Sequence, residues 1–271
     1  MGANVIIHAI RIHTRFVWDY VIANMLVALE YRASFITQVI GMLLNDSMWV
    51  TFWWIYFTRF QVLQGGYGIE DVLGLWAMVG VAFGLCCGLF GNVLTMAETI
   101  SQGKLDYYLT LPKNVLLHVL VSRMDVTAWG DLVFGTGLFV IFLRPGPERI
   151  ALFLLLATCA AIVFLAFNIL WQSLAFWLGN AEGLAAQMWN ALIAFSTYPD
   201  PLFRGLVRGL LFSVLPAAFM SHIPVRLLRD FDPALIGTEI AVAVGTFALS
   251  VFVFYRGLRR YESGNMMTVR S

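Results

Sequence analysis

Apolar residues in this chain fall into long runs with brief polar punctuation. Runs from about Phe35 to Phe57, Val72 to Met96, Val115 to Leu143 and Ile150 to Leu178 each reach the roughly 20 residues a helix needs to cross the hydrocarbon core. A shorter run, Leu184 to about Tyr198, follows, and Ala234 to Tyr255 is again long and nearly uncharged. The pattern predicts an all-α integral membrane protein with six transmembrane helices.

Two segments depart from it. Residues 1–34 are of mixed polarity, with Phe16, Tyr20, Ala23 and Val27 recurring on one helical face and Arg15, Asp19 and Glu30 elsewhere. Such a helix, just ahead of the first span of a 35–271 transmembrane domain, is expected to lie along the cytoplasmic interface. The stretch 199–233 holds Pro199, Pro201, Pro216, Pro224 and Pro233. Each lacks an N–H and interrupts a helix, and broken helix survives at membrane depth only under cover of protein or a water-filled cavity. The segment is therefore expected to form two short re-entrant or interfacial helices on one side of the bilayer.

Charge distribution chooses between six and seven crossings. Six spans with a cytoplasmic N-terminus leave nine basic residues inside: Arg11, Arg15, Arg32, Lys104, Lys113, Arg256, Arg259, Arg260 and Arg270. A seventh crossing over Leu206 to Val225 would throw the last four outside, against the positive-inside tendency. Both termini are thus expected in the cytoplasm. The start of the chain does not read as a signal peptide, because Asp19 and Glu30 break its apolar stretch and no small-residue cleavage site follows.

Composition sharpens the class. The 271 residues are 60% hydrophobic and 12% charged, with a mean hydropathy of +0.81, against about 25% charged in soluble domains. A net charge of +1 argues against a nucleic-acid partner, which needs a basic surplus. Cys86, Cys87 and Cys159 lie inside apolar runs and are odd in number, unlike a disulfide framework.

Enzyme chemistry finds little support. Gly103-Lys104 is followed by Leu105 and lacks the remaining residues of a phosphate-binding loop. His8, His13, His118 and His222 are scattered without a metal-ligand pattern, and Ser221-His222 are merely adjacent. No catalytic residue, cofactor or metal is expected in the chain itself.

Three other constellations stand out. Gly80, Gly84 and Gly88 repeat at i+4 in the second span, with Gly91 continuing; such a face admits another backbone closely, within one subunit or at an interface or moving joint. Ionisable groups within spans suggest function by default: Asp46, beside Asn45, in the first run, and Arg123, Asp125 and Asp131 in the third. Arg123, Thr127 and Asp131 would share a helical face, as a polar network or a substrate path, and Asn168, Gln172 and Ser173 add a polar patch to the fourth run. Finally, the connection Glu98 to Asn114 reads ETISQGKLDYYLTLPKN. Leu105, Tyr108 and Leu109 fall at i, i+3 and i+4, a face suited to a partner's groove or to anchoring the loop.

The cytoplasmic GKLDYYLTLP, the STYPDPLFRGLVRGLLFSVLPAAFMSHIP before the last span and the N-terminal helix together resemble the permease subunits of bacterial type-two ABC exporters, short six-span subgroup. The resemblance covers nearly the whole chain. It implies that Gly103, Lys104, Leu105, Asp106, Tyr108, Leu109 and Pro112, within 98–114, couple to separate ATP-binding cassette subunits, which would carry ATP and Mg. It implies outer gate helices over 199–233 with Pro199, Pro201, Pro216 and Pro224, and a second permease, identical or related, in the bacterial inner membrane. The rival expectations are an ion- or proton-coupled secondary transporter using Asp46, Asp125 and Asp131, and a membrane assembly subunit without transport.

Overall fold

Local capping chemistry marks where the helices begin. A computed structural model describes residues 2–60, 67–199, 202–203, 205–206, 209 and 215–262. Gly68 N–H donates to Asp71 Oδ2 at 2.9 Å at the start of α3, Ile69–Phe90. Asn114 accepts from Leu117 N at 3.0 Å ahead of α6, Val115–Val121. Asp232 accepts from Ala234 N at 2.9 Å, and Pro233 occupies the first turn of the last helix, Pro233–Leu258. These side chains satisfy amide groups that the first helical turn leaves without partners.

The described residues are mostly helical, without a strand. Helix α1, Gly2–Glu30, meets α2, Arg32–Arg59, at a bend of 99°. Helix α3 gives way to a 3-10 turn, Gly91–Thr95, then α4, Met96–Ser101, and α5, Leu105–Leu109. After α6 comes α7, Ala128–Phe142; then α8, Pro147–Ser173, with α9, Ala175–Leu178, at its end; then α10, Glu182–Thr197. A π-helical turn, Ala218–His222, leads into α11, Ile223–Arg229, and the chain closes with α12, Pro233–Leu258. The core forms around α3 and α8, where Leu75, Met78, Leu156 and Phe164 are fully buried. Helices α2 and α12 lean on this core and leave much of their apolar surface outward, including Leu44, Trp54, Val244 and Phe252. That surface suits lipid or another apolar partner.

Three expectations change in detail. The third apolar run is not one helix: it stops at Val121 and resumes at Ala128, because Asp125 Oδ1 accepts from Thr127 N at 2.9 Å and Thr127 Oγ1 at 2.7 Å and so turns the chain into α7. The second run also breaks, after Phe90. On α1 the packed positions include Phe16, Tyr20, Val21, Asn24 and Ala28, whereas Ala23 and Val27 are exposed, so the inward face keeps Phe16 and Tyr20 but turns away from Ala23 and Val27.

Both breaks are supplied with partners. Asn92 N donates to Arg123 O at 2.9 Å and Asp125 N to Cys87 O at 3.0 Å, joining the two interrupted segments backbone to backbone. Gln172 of α8 accepts from Ala97 N at 2.8 Å and donates to Leu94 O at 2.7 Å. Asn92 Nδ2 donates to Val119 O at 2.8 Å. Irregular backbone inside a membrane protein persists where buried groups are satisfied in this way.

Candidate functional site

The loop after α4 forms a small platform. Leu105 is fully buried, and Tyr108 turns inward, its hydroxyl donating to Ser122 Oγ at 3.1 Å. Of the expected docking stripe, Leu105 and Tyr108 face the bundle, Tyr108 against His118 and against Ser122 at the end of α6. The outward surface belongs to Tyr107 and Leu109, 63% and 43% exposed, with Lys104 beside them in an ion pair to Glu98 at 3.0 Å. Gly103, at φ 72, takes the left-handed conformation that turns the chain from α4 into α5. Pro112 is exposed just ahead of α6.

Two further elements brace the platform. His118 of α6 lies 2.6 Å from the Tyr20 hydroxyl, and its ring packs edge-on against Phe16, Tyr20 and Tyr108. Burial, then the neighbouring Tyr107 and Tyr108, raises the Tyr20 phenol above its ordinary value. At the far end of the chain, Tyr261 lies beside Asp106; burial first, and then that carboxylate, push its phenol up to about 12. The N-terminal helix, the platform and the tail of the last span thus meet at one place.

Within the bundle, Asp46 sits midway along α2, with Asn45 Nδ2 3.4 Å from its Oδ1. Its carboxyl group meets that of Asp131 on α7. The approach is possible because a Cβ at Gly130 would come within 2.9 Å of Met42 Cβ and 3.1 Å of Val39 O. Arg123 and Asp125 do not join this pair on a common helical face, since both lie in the break before α7. They line a separate cleft of about 500 Å³ with Asn24, Tyr31 and Gln38.

The glycine stripe lies against α7 of the same chain. A Cβ at Gly80 would fall 3.0 Å from Asp131 O, and one at Gly84 would fall 2.5 Å from Leu132 Cβ. Gly88 meets only the Trp129 ring at 3.8 Å, which is ordinary contact. From the other side Gly135 presses on Ala77 O and Val81 N, at 2.7 and 2.8 Å from a notional Cβ.

On the opposite end, the π turn and α11 cover the C-terminus of α10. Ser221 Oγ donates to Ser196 O at 2.7 Å, and His222 Nε2 lies 3.0 Å from Phe195 O. Pro199 and Pro224 are buried here, Pro216 is half-buried, and Pro201 lies outside the described residues. Arg229 of α11 reaches Asp71 at the start of α3 at 3.3 Å.

Glu239 belongs to none of the sequence motifs. It is fully buried on α12, near Cys159 of α8, and neither of its carboxylate oxygens has a hydrogen-bond partner among the described residues. The signal was a single acidic residue in an otherwise uncharged run.

A bundle of apolar helices with irregular segments at both ends fits a multi-pass membrane protein. The model of the family described as ABC-2 family transporter protein matches residues 43–265. The chain belongs to that family and is a transmembrane component of an ABC transporter, a class that works with ATP-binding cassette subunits. No curated protein matches it.

Proposed function

We propose that this chain is one half of an exporter's translocation path, pairs with a second permease, and is driven by two separate ATP-binding subunits docking at the α5 platform. One observation carries the coupling role. Helix α5 is fixed to the bundle through Leu105 and Tyr108 and offers Tyr107 and Leu109 outward. A partner groove that takes these two side chains gains about 1.5–3 kcal/mol for each large apolar group fully covered. Because α5 is clamped by α6 and by Asp106 beside Tyr261, a displacement of the groove would reach the bundle rather than flex a loop.

Export follows the resemblance to type-two exporters. The cytoplasmic placement of the platform and both termini follows Lys104, Lys113, Arg256, Arg259 and Arg260, and the surface formed by the π turn and α11 would be the outer gate. The test is co-purification of the ATP-binding subunit with a Tyr107→Ala/Leu109→Ser permease. Loss of association, with the variant still inserted and folded, is the expected result; wild-type association together with wild-type hydrolysis coupled to transport rejects the docking site. The Asp46–Asp131 pair favours a second reading, an ion-coupled carrier, and transport that persists without the ATP-binding subunits would select it.

A further inference from the structure

Between α2, α3, α7 and α10 lies a cavity of about 170 Å³. A cavity of about 150 Å³ in another protein accommodates benzene, so this one holds a group of about half a dozen heavy atoms. Its walls combine two features that hydrocarbon tails do not need. Asp46 and Asp131, 4% and 7% exposed, place their carboxyl groups side by side at the cavity. Asp131 Oδ2 is buried and receives no hydrogen bond from any described donor. The same cavity is lined by paired aromatic rings: Trp49 stacked on Trp76 at 5.9 Å, and Phe83 6.1 Å from Trp189. The indole N–H groups of Trp76 and Trp189 are likewise buried without a described acceptor.

Two ionised carboxylates only accept hydrogen bonds, so a touching pair is held by a proton or by a cation. Inside a membrane an uncompensated carboxylate is costly, and aromatic faces attract a desolvated cation within about 6 Å of the ring centroid. An anionic head would meet the Asp pair, and a neutral apolar one would leave Asp131 Oδ2 without a donor. A multivalent metal ion calls for more ligands, and no group of three His, Cys, Asp or Glu side chains occurs among the described residues. A protonated amine answers both features: its N–H groups donate to the carboxyl pair while its charge lies against the rings. An oxygen on a neighbouring atom of the same head could accept from the indoles.

We propose that this cavity binds the protonated amine head of an amphipathic molecule, whose tail leaves past Asn45 and Trp49 on the exposed side of α2. This deepens the permease reading by naming a cargo class, and it rests on that reading only for the transport of what binds.

The experiment titrates hexylammonium and, separately, hexanol into the full chain in lipid nanodiscs by calorimetry, with empty nanodiscs as the blank. One saturable site is expected for hexylammonium, with affinity at least tenfold weaker for hexanol and for the Asp131→Asn protein. Equal binding of hexanol, unchanged affinity in Asp131→Asn, or no saturable heat beyond the blank overturns the proposal; the last result would leave the pair holding a proton. Asp46→Asn serves as the second variant if Asp131→Asn does not assemble, and the comparison of amine with alcohol on the wild-type chain requires neither. Since no ATP-binding subunit is present, failure here leaves the docking site at Tyr107 and Leu109 standing, and failure of docking leaves this result standing.

Discussion

Tyr20 and His118, 98 positions apart in the chain, lie 2.6 Å from each other and fasten the N-terminal helix to the root of the third span. Asn24, one turn further along α1, donates to Val121 O at 3.2 Å. The N-terminal helix is thereby an integral wall of the platform, with Trp18, Ile22 and Leu26 exposed on its other side, where an apolar face suits the membrane interface.

Tyr20→Phe keeps the ring contacts and removes this one hydrogen bond. A loss of about 0.5–1.5 kcal/mol is expected, read as a lower unfolding temperature together with faster proteolytic trimming of α1. Unchanged trimming would show that ring packing alone retains the helix.

Leu105 and Tyr107, two positions apart, are expected to respond oppositely. Leu105→Ala empties a fully buried site and should cost about 2–5 kcal/mol, seen as thermal destabilisation of the purified permease. Tyr107→Ala, at an exposed site, should stay within about 0.5 kcal/mol yet weaken capture of the ATP-binding subunit. Thermal unfolding and pull-down on the same two preparations separate the effects.

The glycine stripe offers a graded test. Gly84→Ala places a Cβ against Leu132 and within 2.9 Å of Ala128 O, so α3 and α7 must part and about 1–3 kcal/mol should be lost. Gly88→Ala meets only an indole ring at ordinary distance and should be neutral to within about 0.5 kcal/mol. Equal unfolding temperatures for the two variants would contradict the close approach at Gly84.

The all-helical membrane class was readable because hydropathy integrates over some 20 residues and averages local detail away. The same averaging hides the break at 122–127: Arg123, Asp125 and Thr127 stand out in the sequence as polar, but only the hydrogen bonds from Thr127 to Asp125 show that they turn the chain. Periodicity placed Leu105, Tyr108 and Leu109 on one stripe of α5 without saying whether that stripe meets its own bundle or a partner. Gly130 and Gly135 were invisible as contact sites because close approach depends on what the facing helix presents, and Met42 and Ala77 are far away in sequence. Glu239 was missed because one carboxylate hardly alters the hydropathy of a 26-residue helix.

Glu239→Leu should stabilise the chain. The native carboxyl group is fully buried without a hydrogen-bond partner among the described residues, a condition that costs on the order of 1–3 kcal/mol on mutational scales, and leucine restores an apolar surface between α12 and α8. A raised unfolding temperature is the expected result, and a lowered one would reveal that the carboxylate is satisfied in the membrane.

The backbone exchange between Asn92 and Arg123, and between Asp125 and Cys87, also constrains motion. Both segments are interrupted at this level, so rotation here need not break an intact i→i−4 ladder in either helix. Sliding is obstructed, because the Gly91 Cα is pressed against the backbone of Met124 and Asp125 with no room for even one more carbon. If Tyr107 takes the push of a partner subunit, as proposed, that push enters the helices at several fixed points together, the backbone crossing at Gly91 and Asp125 and the Gln172 bonds to Leu94 and Ala97, so the platform and the bundle move as one stiff lever.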